Sequence, residues 1–311
     1  MSQGSNLQAD YPWIKTPLIA SVPMLNIATA PLSSNLEEAV QLVKQSTRLE
    51  SFDPCTGILL VGIGFLNWGA DLAKSIAAIE KYRPCAAWFF GPKSIPDDLR
   101  PWAEKVRTVT DGKTKIWVQI GTVAEAIAVA EALSPDVLVV QGSDAGGHGL
   151  AQSASIVTLV PETDTIPLVA AGGIADGRGM AASLVLGASR AAKISRGYQD
   201  EVLRASDSGT SSVRSTVYDR VRGILSWPAR YDGRGIINKS YIDAVNGMSD
   251  EENRALYEQE LKKGDLGWGP DARLKTYAGT GVGLVNERLR AAEIIANVIQ
   301  EAQDIIRRLK E

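Results

Sequence analysis

A chain of 311 residues, 45% hydrophobic and 22% charged, can bury a full core and falls among ordinary globular proteins, not disordered or fibrous ones. One large domain or two modest ones fit this length. The formal charge of -3 offers no broad basic field to nucleic acid or an acidic membrane, so the expected partners are small molecules, with no nucleic acid and no membrane.

The first fifteen residues hold one lysine (Lys15), one acid (Asp10) and no arginine, unlike a signal or transit peptide. Residues 57 to 66 form the longest apolar run, half of what a membrane span needs. Cys55 and Cys85 could form at most one bridge and match neither a metal-ligand spacing nor a disulfide framework, which suits a reducing compartment. The expected location is cytoplasmic.

In chain order, Pro17 to Ser21 reads as a first strand, and Leu36, Ala39, Val40 and Val43 make a helical stripe. From residue 57 to about 187, short β-rich runs alternate with helical patterns, the signature of a parallel sheet covered by helices. The strands are expected at Ile58 to Gly64, Ala86 to Phe90, Lys115 to Ile120, Val137 to Gln141 and Pro167 to Ala171. Several are nearly all apolar, as strands buried on both faces should be. Helices are expected over Asp71 to Tyr82 and Thr122 to Leu133, the second opened by Thr122 and Glu125 in a capping-box pattern. Beyond about residue 200 the texture changes to charged helices and Gly-rich loops such as Tyr231-Asp232-Gly233-Arg234-Gly235, read as an appended subdomain or cap. No internal repeat or low-complexity segment stands out.

The segment with most chemical content follows the strand Val137 to Val140: Gln141-Gly142-Ser143-Asp144-Ala145-Gly146-Gly147-His148-Gly149. Its four glycines let backbone approach a flat or anionic ligand, at the strand end where parallel α/β folds bind ligands. His148 is the only histidine in the chain, so any base titrating near neutral pH by imidazole must be this one. A tight turn beside a surface histidine would use the same residues. A second strand, Val169 to Ala171, ends in Gly172-Gly173 before a helix, where backbone amides would suit a phosphate.

With Val22-Pro23-Met24, Ala145-Gly146-Gly147-His148-Gly149, Ala171-Gly172-Gly173-Ile174, Trp227-Pro228, Tyr231-Asp232-Gly233-Arg234 and Tyr277-Ala278-Gly279-Thr280-Gly281-Val282-Gly283, the chain resembles the nitronate monooxygenase family, its fungal members above all. The likeness covers nearly the whole length. It implies an α/β fold, a TIM-type (β/α) barrel whose completeness is open, with a C-terminal α-rich cap: residues 1–200 as an FMN-binding barrel-like domain and 201–311 as a helical and loop subdomain packed on it. It also implies FMN as cofactor, His148 as catalytic base, Gln141, Gly146 and Gly147 lining the flavin, Gly172 and Gly173 holding its phosphate, and Met24 and Asn67 bordering the isoalloxazine. By residue type alone, Met24 could equally be a core side chain and Asn67 a turn residue.

The implied activity is oxidation of alkyl nitronates, or nitroalkanes after deprotonation, with dioxygen to a carbonyl compound and nitrite. A flavoprotein tailoring another carbon acid, or a degraded relative without FMN, are the alternatives; the oligomeric state is left open. Two departures from the family pattern bear on this. Ala30-Pro31-Leu32 runs almost directly into the helix near Asn35, and Leu186-Gly187-Ala188-Ser189 leads into Arg190 to Arg196 with no Gly-Thr pair after it. Uneven strand pairing is therefore expected near residues 30–36 and 188–196, since barrel closure needs consistent strand number and register.

Overall fold

The computed structural model describes residues 11, 24–25, 57–163, 166–186 and 196–309. Residues 17–21, 30–36 and 188–195, with the expectations placed on them, lie outside the described residues, as does Cys55. By internal contacts the chain divides into two units, Met1–Leu7 with Val22–Val139 and Thr163–Leu168, and Gln8–Ser21 with Val140–Glu162 and Val169–Glu311.

The first unit alternates strand and helix: β1 (Met24–Leu25), β2 (Leu59–Leu66), α1 (Leu72–Tyr82), β3 (Pro84–Phe90), α2 (Arg100–Thr110), β4 (Lys115–Ile120), α3 (Val123–Leu133) and β5 (Val137–Gln141), whose last two residues belong to the second unit. β1 to β4 pair in parallel, with Met24 opposite Gly64, Phe65 opposite Phe89 and Trp88 opposite Trp117. Every residue of β3 is buried, which is why no polar alternation marks it in the sequence. Phe65, Phe89 and Trp102 pack with ring centroids 5.3 to 6.3 Å apart, joining two strands to α2.

Helix starts follow the side chains that favour them. Asp71 Oδ1 accepts from Lys74 N at 2.9 Å, and Thr122 Oγ1 accepts from Glu125 N at 3.2 Å. Glu125 Oε2 reaches back to Gly121 N at 2.8 Å, one residue further than a standard capping box. α2 has no counterpart in the sequence reading: Pro101 sits in its first turn, and its buried stripe of Trp102, Ala103, Val106 and Thr110 is interspersed with charged residues that hide it. Cys85 is buried with a free thiol, which burial pushes up to about 12.

The second unit contains β6 (Gly147–Leu150), α4 (Ile156–Leu159), β7 (Leu168–Ala171, from Val169 onward), α5 (Gly177–Leu186), α6 (Arg196–Arg204), α7 (Ser208–Ser211), β8 (Ser212–Ser215), α8 (Val217–Arg220), β9 (Tyr231–Ile236), α9 (Lys239–Val245), α10 (Asp250–Leu261) and α11 (Ala291–Arg308). Strand order is β1-β2-β3-β4-β5-β7 in one sheet and β6-β9-β8 in another. α11 lies on α5 through Met180, Ala181 and Ala302, with Val298 and Ile299 beside them. Val217, Val221, Tyr257 and Leu274 form a second cluster.

Two expectations are corrected here. Tyr231 to Gly235 is not a loop but most of strand β9, because alternate residues serve opposite faces: Tyr231, Gly233 and Gly235 are buried while Asp232 and Arg234 are half-buried. His148 likewise stands on strand β6, antiparallel to β9 and directly opposite Gly233, rather than in an open loop. Among the described residues, no helix is long and apolar enough to cross a membrane.

Candidate active site

His148 is the centre of a group drawn from four segments of the second unit. Its Nε2 lies 2.7 Å from Asp219 Oδ2 on α8, with 13% and 7% of the two side chains exposed. Trp227 stacks on the imidazole at 4.0 Å between centroids and 5° between planes, and Tyr277 meets it edge-on at 5.3 Å. The Tyr277 phenol donates to Asp219 Oδ1 at 3.1 Å. Burial, then the nearby Asp219 charge, pushes that phenol far above its ordinary value, so it remains a donor at neutral pH.

The glycines of β9 make this arrangement possible. A Cβ on Gly233 would stand 2.8 Å from Tyr277 Cε1, and one on Gly235 would stand 3.1 Å from Tyr218 Cε2. Tyr218 is fully buried and donates to Ile236 O at 2.7 Å, which fixes α8, and with it Asp219, against β9. On the other face of β9, two arginines hold the glycine-rich loop. Arg234 Nε donates to Ser143 O at 3.3 Å; Arg214, from β8, donates to Ala145 O at 3.0 Å and pairs with Asp232 at 3.1 Å. Gln141 Nε2 donates to His148 O at 2.9 Å and closes the loop on itself.

Lys275 lies 4.9 Å from the Tyr277 ring centroid. Burial and the neighbouring Arg222 outweigh the attraction of Asp219 and push its ammonium down to about 8. The segment carrying both residues is anchored by α9, where Asn238 Nδ2 and Ser240 Oγ donate to Arg273 O at 2.9 and 3.0 Å.

The residues expected to hold FMN divide between the units. Met24 and Asn67 belong to the first, on and just past strands β1 and β2; Gln141, Gly146, Gly147, His148, Gly172 and Gly173 belong to the second. The two glycine loops meet as expected: a Cβ on Gly172 would lie 2.6 Å from Ala145 Cβ, and one on Gly173 would lie 2.9 Å from Asp144 Cβ. Gly146 is pressed against Ala278 and Gly279, whereas Gly147, at φ 73°, has open space on its side-chain side.

Within the first unit, Asn67 has a donor that suits a flavin ring. Asn67 Oδ1 accepts from Phe90 N at 2.9 Å, while its buried Nδ2 has no hydrogen-bond partner, the condition of a donor awaiting a ligand acceptor. At the phosphate end the expectation is corrected: Gly172 and Gly173 are not at a helix N-terminus. α5 begins four residues later, and its first amides are taken by carboxylates, Gly177 N by Glu301 Oε2 at 2.7 Å and Gly179 N by Asp176 Oδ1 at 2.9 Å. Two carboxylates there oppose a bound phosphate. Among the described residues, no cluster of three or more histidine, cysteine or carboxylate groups could hold a metal.

The sequence profile described as nitronate monooxygenase matches residues 100–301. A nitronate monooxygenase, npaC of Metarhizium robertsii, is 37% identical over 96% of this chain and 95% of its own. The chain belongs to the nitronate monooxygenase family. Among solved structures, FabK from Thermotoga maritima superposes with a TM-score of 0.65 at 19% identity, over 93% of this chain and 87% of its own. The nitroalkane oxidase from Streptomyces ansochromogenes gives 0.58 at 20% identity, over 76% and 69%. The fold is therefore α/β, of the TIM type expected from the sequence. In this nitronate monooxygenase family member, Asp219 is the site residue without a signal in the sequence: it sits in a four-residue helix, 71 positions from the histidine it touches. Tyr277 and Trp227 lie in segments that carried the resemblance, but nothing in their spacing pointed to His148.

Proposed function

We propose that this protein oxidises alkyl nitronates, and nitroalkanes after deprotonation, with dioxygen to a carbonyl compound and nitrite, with His148 as proton acceptor. The observation that carries this reading is that the chain's only imidazole is held between a buried carboxylate and a tryptophan, on a strand entered through Gly147, whose side-chain side is open. Family membership supplies the substrate class.

FMN, when bound, would supply the electron acceptance that no side chain provides. Asn67 would offer its unpaired amide to the ring. The chain's own chemistry is the proton step. With Asp219 fixing the ring, His148 takes the α-proton of a neutral nitroalkane, and the resulting imidazolium is offset by the carboxylate next to it. A nitronate that arrives already anionic needs only orientation and charge balance from the same group.

The test is direct. The purified protein should show a flavin absorption spectrum, and a primary alkyl nitronate should drive oxygen uptake with release of nitrite. Flavin with neither oxygen uptake nor nitrite would overturn the substrate class. One observation favours a second reading, a relative that has lost FMN: the carboxylates of Asp176 and Glu301 at the start of α5. Absence of flavin from the spectrum, not restored by added FMN, would select it.

A further inference from the structure

We propose that Asp219, braced by Tyr277, holds His148 in the tautomer protonated on Nε2, leaving Nδ1 as the nitrogen that accepts a proton. The inference rests on the reading of His148 as the base and goes beyond it by naming the atom and the residue that selects it.

Asp219 presents one oxygen to each of two partners, Oδ1 to the Tyr277 phenol at 3.1 Å and Oδ2 to the imidazole at 2.7 Å. The phenol stays protonated and can only donate to that oxygen. A carboxylate accepts from both sides, so the imidazole nitrogen facing it must carry hydrogen. A neutral imidazole has a single N–H, and the lone pair is therefore on Nδ1. Arg222 NH1 stands 4.0 Å from Asp219 Oδ1 and Lys275 stands over the Tyr277 ring, while the carboxylate of Asp232 interacts electrostatically with His148.

The ring has little freedom to exchange its nitrogens. The His148 carbonyl is tied to Gln141, its backbone is paired with Gly233, and Trp227 covers one face of the ring. Turning Nε2 away from Asp219 would leave a buried carboxylate oxygen without its donor. In the proton step, the substrate C–H bond breaks, an Nδ1–H bond forms, and the electron pair stays on the substrate as the nitronate.

Because His148 is the only histidine, ¹⁵N-histidine labelling of the holoprotein reports one imidazole. Long-range ¹H–¹⁵N spectra of the neutral form should show a pyrrole-type Nε2 and a pyridine-type Nδ1. In Asp219→Asn the side-chain amide can donate to Nε2, so the proton should move to Nδ1 and the two shifts exchange. Turnover of neutral nitroalkane should then fall about a hundredfold to ten-thousandfold, with pre-formed nitronate losing less than about tenfold. A pyrrole-type Nδ1 in the parent overturns the inference even if the variant fails to fold. So does an Asp219→Asn protein that keeps both the parent's tautomer and its nitroalkane turnover. A parent that shows the Nε2–H form but oxidises neither substrate would instead sink the proposed reaction and leave the tautomer assignment standing.

Discussion

Glu301 Oε2 accepts a hydrogen bond from Gly177 N at 2.7 Å, so a carboxylate near the end of the chain caps a helix that begins 124 residues earlier. Removing it by Glu301→Ala should cost about 1 kcal/mol, as for loss of an N-cap. Gly177→Ala should cost more, about 1–3 kcal/mol, because its Cβ would lie 2.3 Å from Glu301 Cβ and the two helices would have to part. Urea unfolding of the two variants checks the order. Equal midpoints for both variants and the parent would show that this contact does not tie α11 to α5.

Lys275 links stability to pH. Its ammonium is pushed down to about 8 from the ordinary 10.5, burial being the largest cause. Below pH 8 both native and unfolded chains hold the proton, and the full cost of burying the charge is present. Between 8 and 10.5 the unfolded chain binds more protons than the native one, so this group makes stability rise with pH, levelling off above 10.5. After discounting for partial solvation, the cost is about 2 kcal/mol. Lys275→Met should therefore raise the Tm at pH 7, with the gain shrinking as pH approaches 10. A gain that grows with pH would contradict the buried charge.

Gly233→Ala places a methyl 2.8 Å from Tyr277 Cε1 and should displace that ring from Asp219. A loss of about 1–3 kcal/mol in stability is expected from overpacking. The kcat on neutral nitroalkane should fall at least about tenfold as the histidine loses its braced partner. Unchanged kcat in a folded variant would mean that Tyr277 plays no part in setting the site.

Asn67→Asp keeps the oxygen that accepts from Phe90 N and removes the unpaired Nδ2 donor. If that donor meets the flavin, FMN affinity should drop about tenfold or more, since the ring would face an acceptor in place of a donor. Fluorescence titration of apoprotein with FMN measures it. An unaltered Kd would remove Asn67 from the flavin site.

His148→Ala should abolish most turnover of neutral nitroalkanes, by about a hundredfold to ten-thousandfold, while sparing pre-formed nitronates and FMN content to a larger degree. Parallel assays of the two substrate forms supply the contrast. Equal losses on both would mean that the histidine binds the anion and does not abstract the proton.

The alternation of apolar runs with helical spacing made the first unit legible: β4 and β5 fall at the expected residues, and α1 and α3 start one residue after the expected first residues Asp71 and Thr122. These signals are local, and local sequence records them. β9 was not legible because two of its buried positions are glycines, whose value lies in what they leave out. The rings that fill those spaces come from Tyr218 and Tyr277, one before and one far after the strand. Asp219 was hidden for the same reason. A carboxylate partner for a histidine has no required spacing, and only the pairing of β6, β8 and β9 brings it within 2.7 Å.

The two-sidedness of β9 also limits how this protein can vary. Sliding the strand by one position would turn Asp232 and Arg234 toward the tyrosines and the glycines toward the arginine clamp, so one register alone satisfies both faces. Because β6 is indexed on β9, that register also sets the height at which His148 stands. Added or deleted residues between 222 and 230, where the chain turns outside any strand or helix, would leave that register intact but shift Trp227 on the imidazole. A single residue gained or lost within 231 to 236 would instead carry the histidine to the wrong level.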